Sequence, residues 1–341
     1  MSRTTSVPRK APSAFVGVPV ALLSSAVFGT SGAFGKSLLE IGWSPGSVVA
    51  MRLSGAALIL LVPALVTLRG KWHQVRDNWL TIVLFGLFGV AACQLFYFNA
   101  VQTLSVGVAL LLEYLAPVMI VLWLWLVKRH APRRLTITGT GVAVAGLLLV
   151  LDLGGARVDP VGVLWGVAAA VCLVAYFFIT ARQNDQLPPL VLASGGMLVG
   201  TAALWAVVFS GVMPPRFVFT EAHLGGVAVP WWVSLAGLVV LSTVISYVTG
   251  IYAARALGSK VASFVSLTEV LFAVLWAWLM LGELPAPIQI AGGALIVVGV
   301  LLVRVDELKD PDFADESAMV AEAVPVEHSS ACAAADQRAG V

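Results

Sequence analysis

Along the 341 residues, long apolar stretches alternate with short polar connections. Ten of these stretches reach or approach the roughly 20 residues that a helix needs to cross a hydrocarbon layer about 30 Å thick. They fall at 15–35, 45–68, 79–101, 106–127, 135–153, 161–181, 190–211, 231–254, 261–281 and 288–303. Their apolar character is continuous, so they predict helices; a membrane-barrel strand would alternate polar and apolar positions over about 10 residues. Several connections hold turn-forming or charged residues, as in Ser44-Pro45-Gly46, Gln183-Asn184-Asp185 and Leu284-Pro285-Ala286-Pro287. The longest connection lies around 213–230. From residue 305 the periodicity stops and the chain becomes acidic and Ala-rich, which predicts a disordered tail over 305–341.

Composition names the solvent of these helices. Charged residues are 11% of the chain and mean hydropathy is +0.97, whereas a soluble domain carries about 25% charged residues to solvate its surface. Lipid is therefore the expected surrounding. Lys and Arg gather on the cytoplasmic side of a membrane. With residues 1–14 as a cytoplasmic N-terminal segment, sixteen of the 20 Lys and Arg fall on cytoplasmic segments. Only Lys36, Arg157 and Arg216 fall outside, and Arg52 lies within a span. Both termini are expected in the cytoplasm, in a multi-pass protein of the cell (plasma or inner) membrane. The scattered basic residues give no nucleic-acid surface. The three cysteines, Cys93, Cys172 and Cys332, show neither metal-ligand nor disulfide spacing.

The chain repeats itself at an offset of 153 residues. Tyr97-Phe98-Asn99-Ala100 falls on Gly250-Ile251-Tyr252-Ala253, and Gly139 and Gly146 fall on Gly292 and Gly299. Each copy holds five helices, an odd number, so the second copy must enter the membrane upside down. The charges agree: the connection after the fourth helix carries Lys128, Arg129, Arg133 and Arg134, and its counterpart carries only Glu283. The fold class is thus an all-α polytopic membrane protein, ten transmembrane helices as two inverted five-helix repeats over 15–153 and 160–304. Inverted repeats are common in secondary transporters, whose solute site lies near the midplane between the halves.

The residues that carry a family resemblance lie in both halves. They are Leu257-Gly258-Ser259, Leu267-Thr268-Glu269, Leu281-Gly282-Glu283 and Gly292-Gly293-Ala294-Leu295-Ile296 in the second. In the first they are Phe28-Gly29, Lys36, Met51-Arg52-Leu53 and Leu115-Ala116-Pro117. On these the chain resembles the EamA family of the drug/metabolite transporter (DMT) superfamily. It departs at Arg129-His130, where the Leu-Gly-Glu motif would put Gly and Glu, and at Val270, where Pro often stands. Within the family, Val108–Tyr114 and Leu241-Ser242-Thr243 are similar to bacterial threonine/homoserine exporters. The resemblance implies export of amino acids or related metabolites, exchanged for protons, with no cofactor.

Ionisable groups within spans mark candidate chemistry, since a charge at the bilayer centre costs at least about 2.5–3.5 kcal/mol. Glu113 and Glu269 sit near the middle of the fourth and ninth spans. They read either as solute and proton sites or as neutral glutamates pinning helix packing. Low dielectric favours the neutral form of a carboxyl in general, which suits a group that takes up and releases protons. Arg52 reads as a clamp for a substrate carboxylate or as a fixed partner of one of these acids. Gln94 and Tyr97 on the third span, with Ser246 and Tyr247 on the eighth, are the expected solute hydrogen-bonding groups. The cavity is expected between spans 3, 4, 8 and 9. Lys36 can snorkel to the outer interface or take part in gating. Gly139, Gly141 and Gly146, with Gly292, Gly293 and Gly299, allow close helix contact within a protomer or across a homodimer. No segment has the Gly-Lys-Ser/Thr ending of a phosphate loop, and the four histidines are dispersed, so neither an ATP-driven pump nor a membrane enzyme is indicated.

Overall fold

The structure, a computed structural model, describes residues 14–128, 134–150, 159–181, 187–211 and 213–309. The expected N-terminal segment and most of the expected tail lie outside these residues, as does the Arg129-His130 departure. The backbone is mostly helical. In chain order it forms α1 (Ala14–Glu40), α2 (Pro45–Leu68), the short α3 (Trp72–Asp77) and α4 (Trp79–Leu84), a π-helical stretch Phe85–Ala92, α5 (Cys93–Thr103), α6 (Val106–Glu113), α7 (Ala116–Lys128) and α8 (Arg134–Val150). The second half follows as α9 (Pro160–Ala181), α10 (Pro189–Phe209), a hairpin of β1 (Glu221–Leu224) and β2 (Val227–Pro230), α11 (Trp231–Ala236), a second π-helical stretch Gly237–Ile245, α12 (Ser246–Ser266), α13 (Thr268–Leu281) and α14 (Pro287–Lys309). Among the described residues six helical segments are long and apolar enough to cross a membrane. Four shorter apolar helices, Val106–Ile120, Arg134–Val150, Thr268–Leu281 and Pro287–Val303, overlie the remaining expected stretches. The chain is a multi-pass membrane protein.

Three features depart from the sequence reading. The expectation of purely helical structure misses the hairpin, which turns at Gly225-Gly226 with φ of 61° and 78°. Two consecutive positive φ values suit a tight hairpin turn, and only glycine takes them without strain. Second, α14 runs on to Lys309, into the segment expected as tail, and Asp306 is buried where its carboxylate accepts from the Thr136 hydroxyl and amide at the start of α8. Third, helical backbone is continuous from Ser246 to Ser266, where two separate spans are expected. Its path nevertheless reverses. The Ser24 hydroxyl bonds to the carbonyl of Ser246 and its neighbour Ser25 to that of Val265, while Leu257 lies against Gly17. A straight helix would separate residues 246 and 265 by about 28 Å at 1.5 Å per residue, so the chain turns back near Leu257.

The repeat is visible in the backbone. The two π-helical stretches end at Ala92 and Ile245, 153 residues apart. The fourth span breaks at Tyr114-Leu115 and the ninth at Leu267, again in register. Pro117 explains the first break, because its ring excludes helical continuation through the preceding turn; its counterpart Val270 offers no such reason. Equivalent helices α8 and α14 pack along their glycines. A Cβ at Gly139 would meet the carbonyl of Gly299 at 2.7 Å, and one at Gly146 the carbonyl of Gly292 at 2.6 Å. Because 139 faces 299 and 146 faces 292, these repeat-equivalent helices run antiparallel. Gly141 belongs to no such contact, since nothing lies within 4 Å of an added Cβ.

Candidate functional site

Small residues on α1 let it sink between its neighbours. A Cβ at Gly29 would come within 2.9 Å of the Ala273 amide on α13, and one at Gly32 within 2.7 Å of the Tyr97 hydroxyl on α5. The close approach leaves a narrow pocket lined by α1, α5, α6 and α13. Its walls include Ser31 and Gly32, Gln94 and Tyr97, Glu113, and Glu269. Glu113 ends α6 at the break in the fourth span, and Glu269 occupies the first turn of α13 just after the break in the ninth. The two interruptions therefore bring one carboxyl from each half to a single space. The Cys93 thiol donates to Glu113 Oε1 at 3.3 Å, and the Tyr114 hydroxyl donates to Glu269 Oε2 at 2.8 Å.

Arg52 stands behind this wall. It is buried and makes no ion pair among the described residues; Lys36 with Glu283 is the pair found there. The expected fixed pairing of Arg52 with Glu113 or Glu269 is absent. Its guanidinium instead donates from Nε to the Thr243 hydroxyl at 2.8 Å and from Nη1 to Ser31 Oγ at 2.8 Å and Gln94 Oε1 at 2.7 Å. The rings of Phe28 and Phe98 lie 5.8 and 5.9 Å from its central carbon, within cation–π range. Nη2 is enclosed and has no hydrogen-bond partner. The Thr243 hydroxyl passes its own proton to the carbonyl of Leu238, five residues back along the π-helical stretch, which leaves its lone pairs for Arg52.

Of the sequence candidates, Glu113, Glu269, Gln94 and Tyr97 line the cavity, and Arg52 adjoins it through Gln94 and Ser31. Ser246 and Tyr247 do not line it. The Ser246 hydroxyl donates to the carbonyls of Ser242 and Thr243 on its own helix, and Tyr247 packs against the ring of Phe28. Helix α1 supplies the wall expected from the eighth span, whose Thr243 hydroxyl reaches the site at Arg52. Ser31, Thr243, Tyr114 and Cys93 are neighbours of these candidates; Tyr114 and Thr243 lie in the stretches that carry the exporter resemblance, but no sequence feature assigns them these partners. The polarity of Ser31 and Thr243 inside apolar stretches is also visible.

At the end of the bundle where α1 finishes, Lys36 pairs with Glu283 and also donates to the carbonyl of Leu104 at 3.0 Å. Glu283 Oε2 accepts from the Val106 amide at 3.1 Å, capping the first turn of α6. The Leu281-Gly282-Glu283 motif makes this geometry. Gly282 ends α13 with φ of 72°, the amides of Gly282 and Glu283 turn back to the carbonyls of Trp278 and Ala277, and the Glu283 side chain is thrown toward α1. The motif shapes a helix end and an ion pair between the two halves.

Residues 15–152 and 160–305 match the EamA-like transporter family, one copy in each half. The inner membrane transporter YicL of Salmonella typhimurium, itself uncharacterized, is 25% identical over 292 residues, covering 84% of this chain and 94% of that protein. The threonine/homoserine exporter RhtA of Escherichia coli is 27% identical over 297 residues, 84% of this chain and 91% of that protein. A probable terminal-alkyne amino-acid exporter of Streptantibioticus cattleyicolor is 30% identical over 271 residues, 77% of this chain and 85% of that protein. A solved crystal structure with 20% sequence identity superposes at a TM-score of 0.56 over 84% of this chain and 97% of the other, and shares the fold.

Proposed function

The chain belongs to the EamA-like transporter family, and on that basis we propose that it exports an amino acid or a related small metabolite by alternating access, in exchange for protons. The proposed frame is ten spans in two inverted halves with both termini in the cytoplasm. Six long and four shorter apolar helices support the count, and the antiparallel packing of α8 on α14 supports the inversion. The names of two relatives, which are amino-acid exporters, support the solute class.

One observation carries the reading: Glu113 from the first half and Glu269 from the second face the same cavity, at breaks in their spans. Broken helices near the midplane are where secondary transporters bind solute and coupling ions. A carboxyl that binds a proton in one orientation and releases it in the other couples the solute to the proton gradient. The test is efflux of radiolabelled threonine from proteoliposomes under an imposed pH gradient. Glu113→Gln and Glu269→Gln are each expected to abolish the response to the gradient. If the double variant responds like the parent, the coupling role is wrong, and solute exchange without protons takes its place.

A further inference from the structure

Arg52 is a buried cation whose hydrogen bonds among the described residues all go to neutral oxygens, none to a carboxylate. Removing a charge from water costs several kcal/mol even after the protein relaxes, and such groups are ordinarily paired with an opposite charge. Here Nε and Nη1 are satisfied by three neutral oxygens, and Nη2 by nothing. The geometry of the deficit is specific. Nη1 and Nη2 together form the edge of a guanidinium that receives a carboxylate through two parallel hydrogen bonds. One half of that edge is occupied by Gln94 Oε1 and Ser31 Oγ, and both of those residues line the cavity. The other half, Nη2, is enclosed and has no hydrogen-bond partner. Gln94 is only partly buried, and among the described residues its side chain makes this one hydrogen bond, so a rotamer change moves its amide off Nη1 and uncovers the edge.

We infer that Arg52 is the seat for a carboxylate of the transported solute, and that Gln94 is its neutral placeholder in the empty state. The solute carboxylate displaces the Gln94 oxygen from Nη1 and takes the vacant Nη2. Phe28 and Phe98, whose rings flank the guanidinium, keep water from competing for the same edge. With the anionic end seated there, Glu113 and Glu269 on the cavity wall are left for the ammonium end and for protons. The solute class is thereby narrowed to small zwitterions, and amines or sugars without a carboxylate are excluded. This rests on the reading of the cavity as a solute site.

The experiment titrates the full-length protein in lipid nanodiscs with threonine, with threoninol (a hydroxymethyl group in place of the carboxylate) and with acetate, reading the thermal unfolding midpoint. In the parent protein, threonine and acetate raise the midpoint, and threoninol acts about tenfold or more weaker, the discrimination that a charged hydrogen bond supplies. In R52Q the acetate response disappears, and threonine and threoninol come within about threefold of each other. Q94E keeps the site testable if R52Q does not fold, because it gives the buried cation a tethered carboxylate; it is expected to fold and to lose the acetate response as well. If acetate stabilises the parent but not Q94E while threonine does nothing, the amino-acid reading of the solute fails and the anion seat stands. If acetate and threonine leave the parent unchanged, or shift the parent and Q94E alike, the seat is overturned.

Discussion

The cavity carboxyls are held by donors of unequal strength. A thiol is a weak donor and a phenol a good one, so Glu113 is tied by Cys93 more loosely than Glu269 is tied by Tyr114. Tyr114→Phe strips a half-buried carboxyl of a good donor, which costs up to about 1–3 kcal/mol. Cys93→Ala removes a weak one and is expected to cost well under that. Equilibrium unfolding of the two variants in the same detergent compares them, and equal losses would show that the two carboxyls are held alike. At this scale the ionisable candidates were legible, because an acid or a base in an apolar stretch stands out by its transfer cost. Their partners were not. Ser31 and Thr243 lie 21 and 191 residues from Arg52, and a hydroxyl in an apolar helix shows its polarity but not its partner until a guanidinium is placed against it. Ser246 stands apart from the cavity for the complementary reason: its hydroxyl donates to carbonyls of its own helix, a choice open to any Ser or Thr in a helix.

Helix contact in this bundle is decided by glycines at particular faces. Gly292 lies against the Gly146 carbonyl and the Val150 amide, whereas Gly141 faces open space. Gly292→Val is therefore expected to push α8 and α14 apart, at about the 1–3 kcal/mol typical of overpacking, whereas Gly141→Val is expected to leave stability near that of the parent. Thermal unfolding and monodispersity on gel filtration read both, and a Gly141→Val loss as large as that of Gly292→Val would place the contact on another face. The glycines themselves were visible in the sequence, as was their spacing; the facing direction of each was not, since all lie on apolar helices. Breaks divide in the same way. Pro117 announces the interruption of the fourth span, while the interruption at Leu267 has no local residue to cause it. Gly225-Gly226 is a hairpin signal that lies within a long connection of mixed polarity.

Across the whole molecule the two halves are tied by Lys36 and Glu283, whose side chains remain 16% and 21% exposed. At that burial solvent screens the pair only in part, so removing one partner leaves the other charge uncompensated. Glu283→Gln removes the charge and loosens the cap on α6. A cysteine at Ala277, which lines a small cavity beside Glu283, is then expected to react a few-fold faster with a membrane-impermeant maleimide; an unchanged rate would show that the pair does not restrain this end. The sequence by itself determined the solvent, the helices, their periodic duplication and the acids and base at stake. Those follow from sums over consecutive residues: transfer energy per span, charge per connection, similarity per offset. Only the tertiary structure decided that Glu113 and Glu269 face one cavity, that Arg52 bonds neutral oxygens in place of a carboxylate, and that Lys36 meets Glu283. These meetings join residues from opposite halves or distant spans, and they depend on crossing points set by glycines and helix breaks, which no local sum contains.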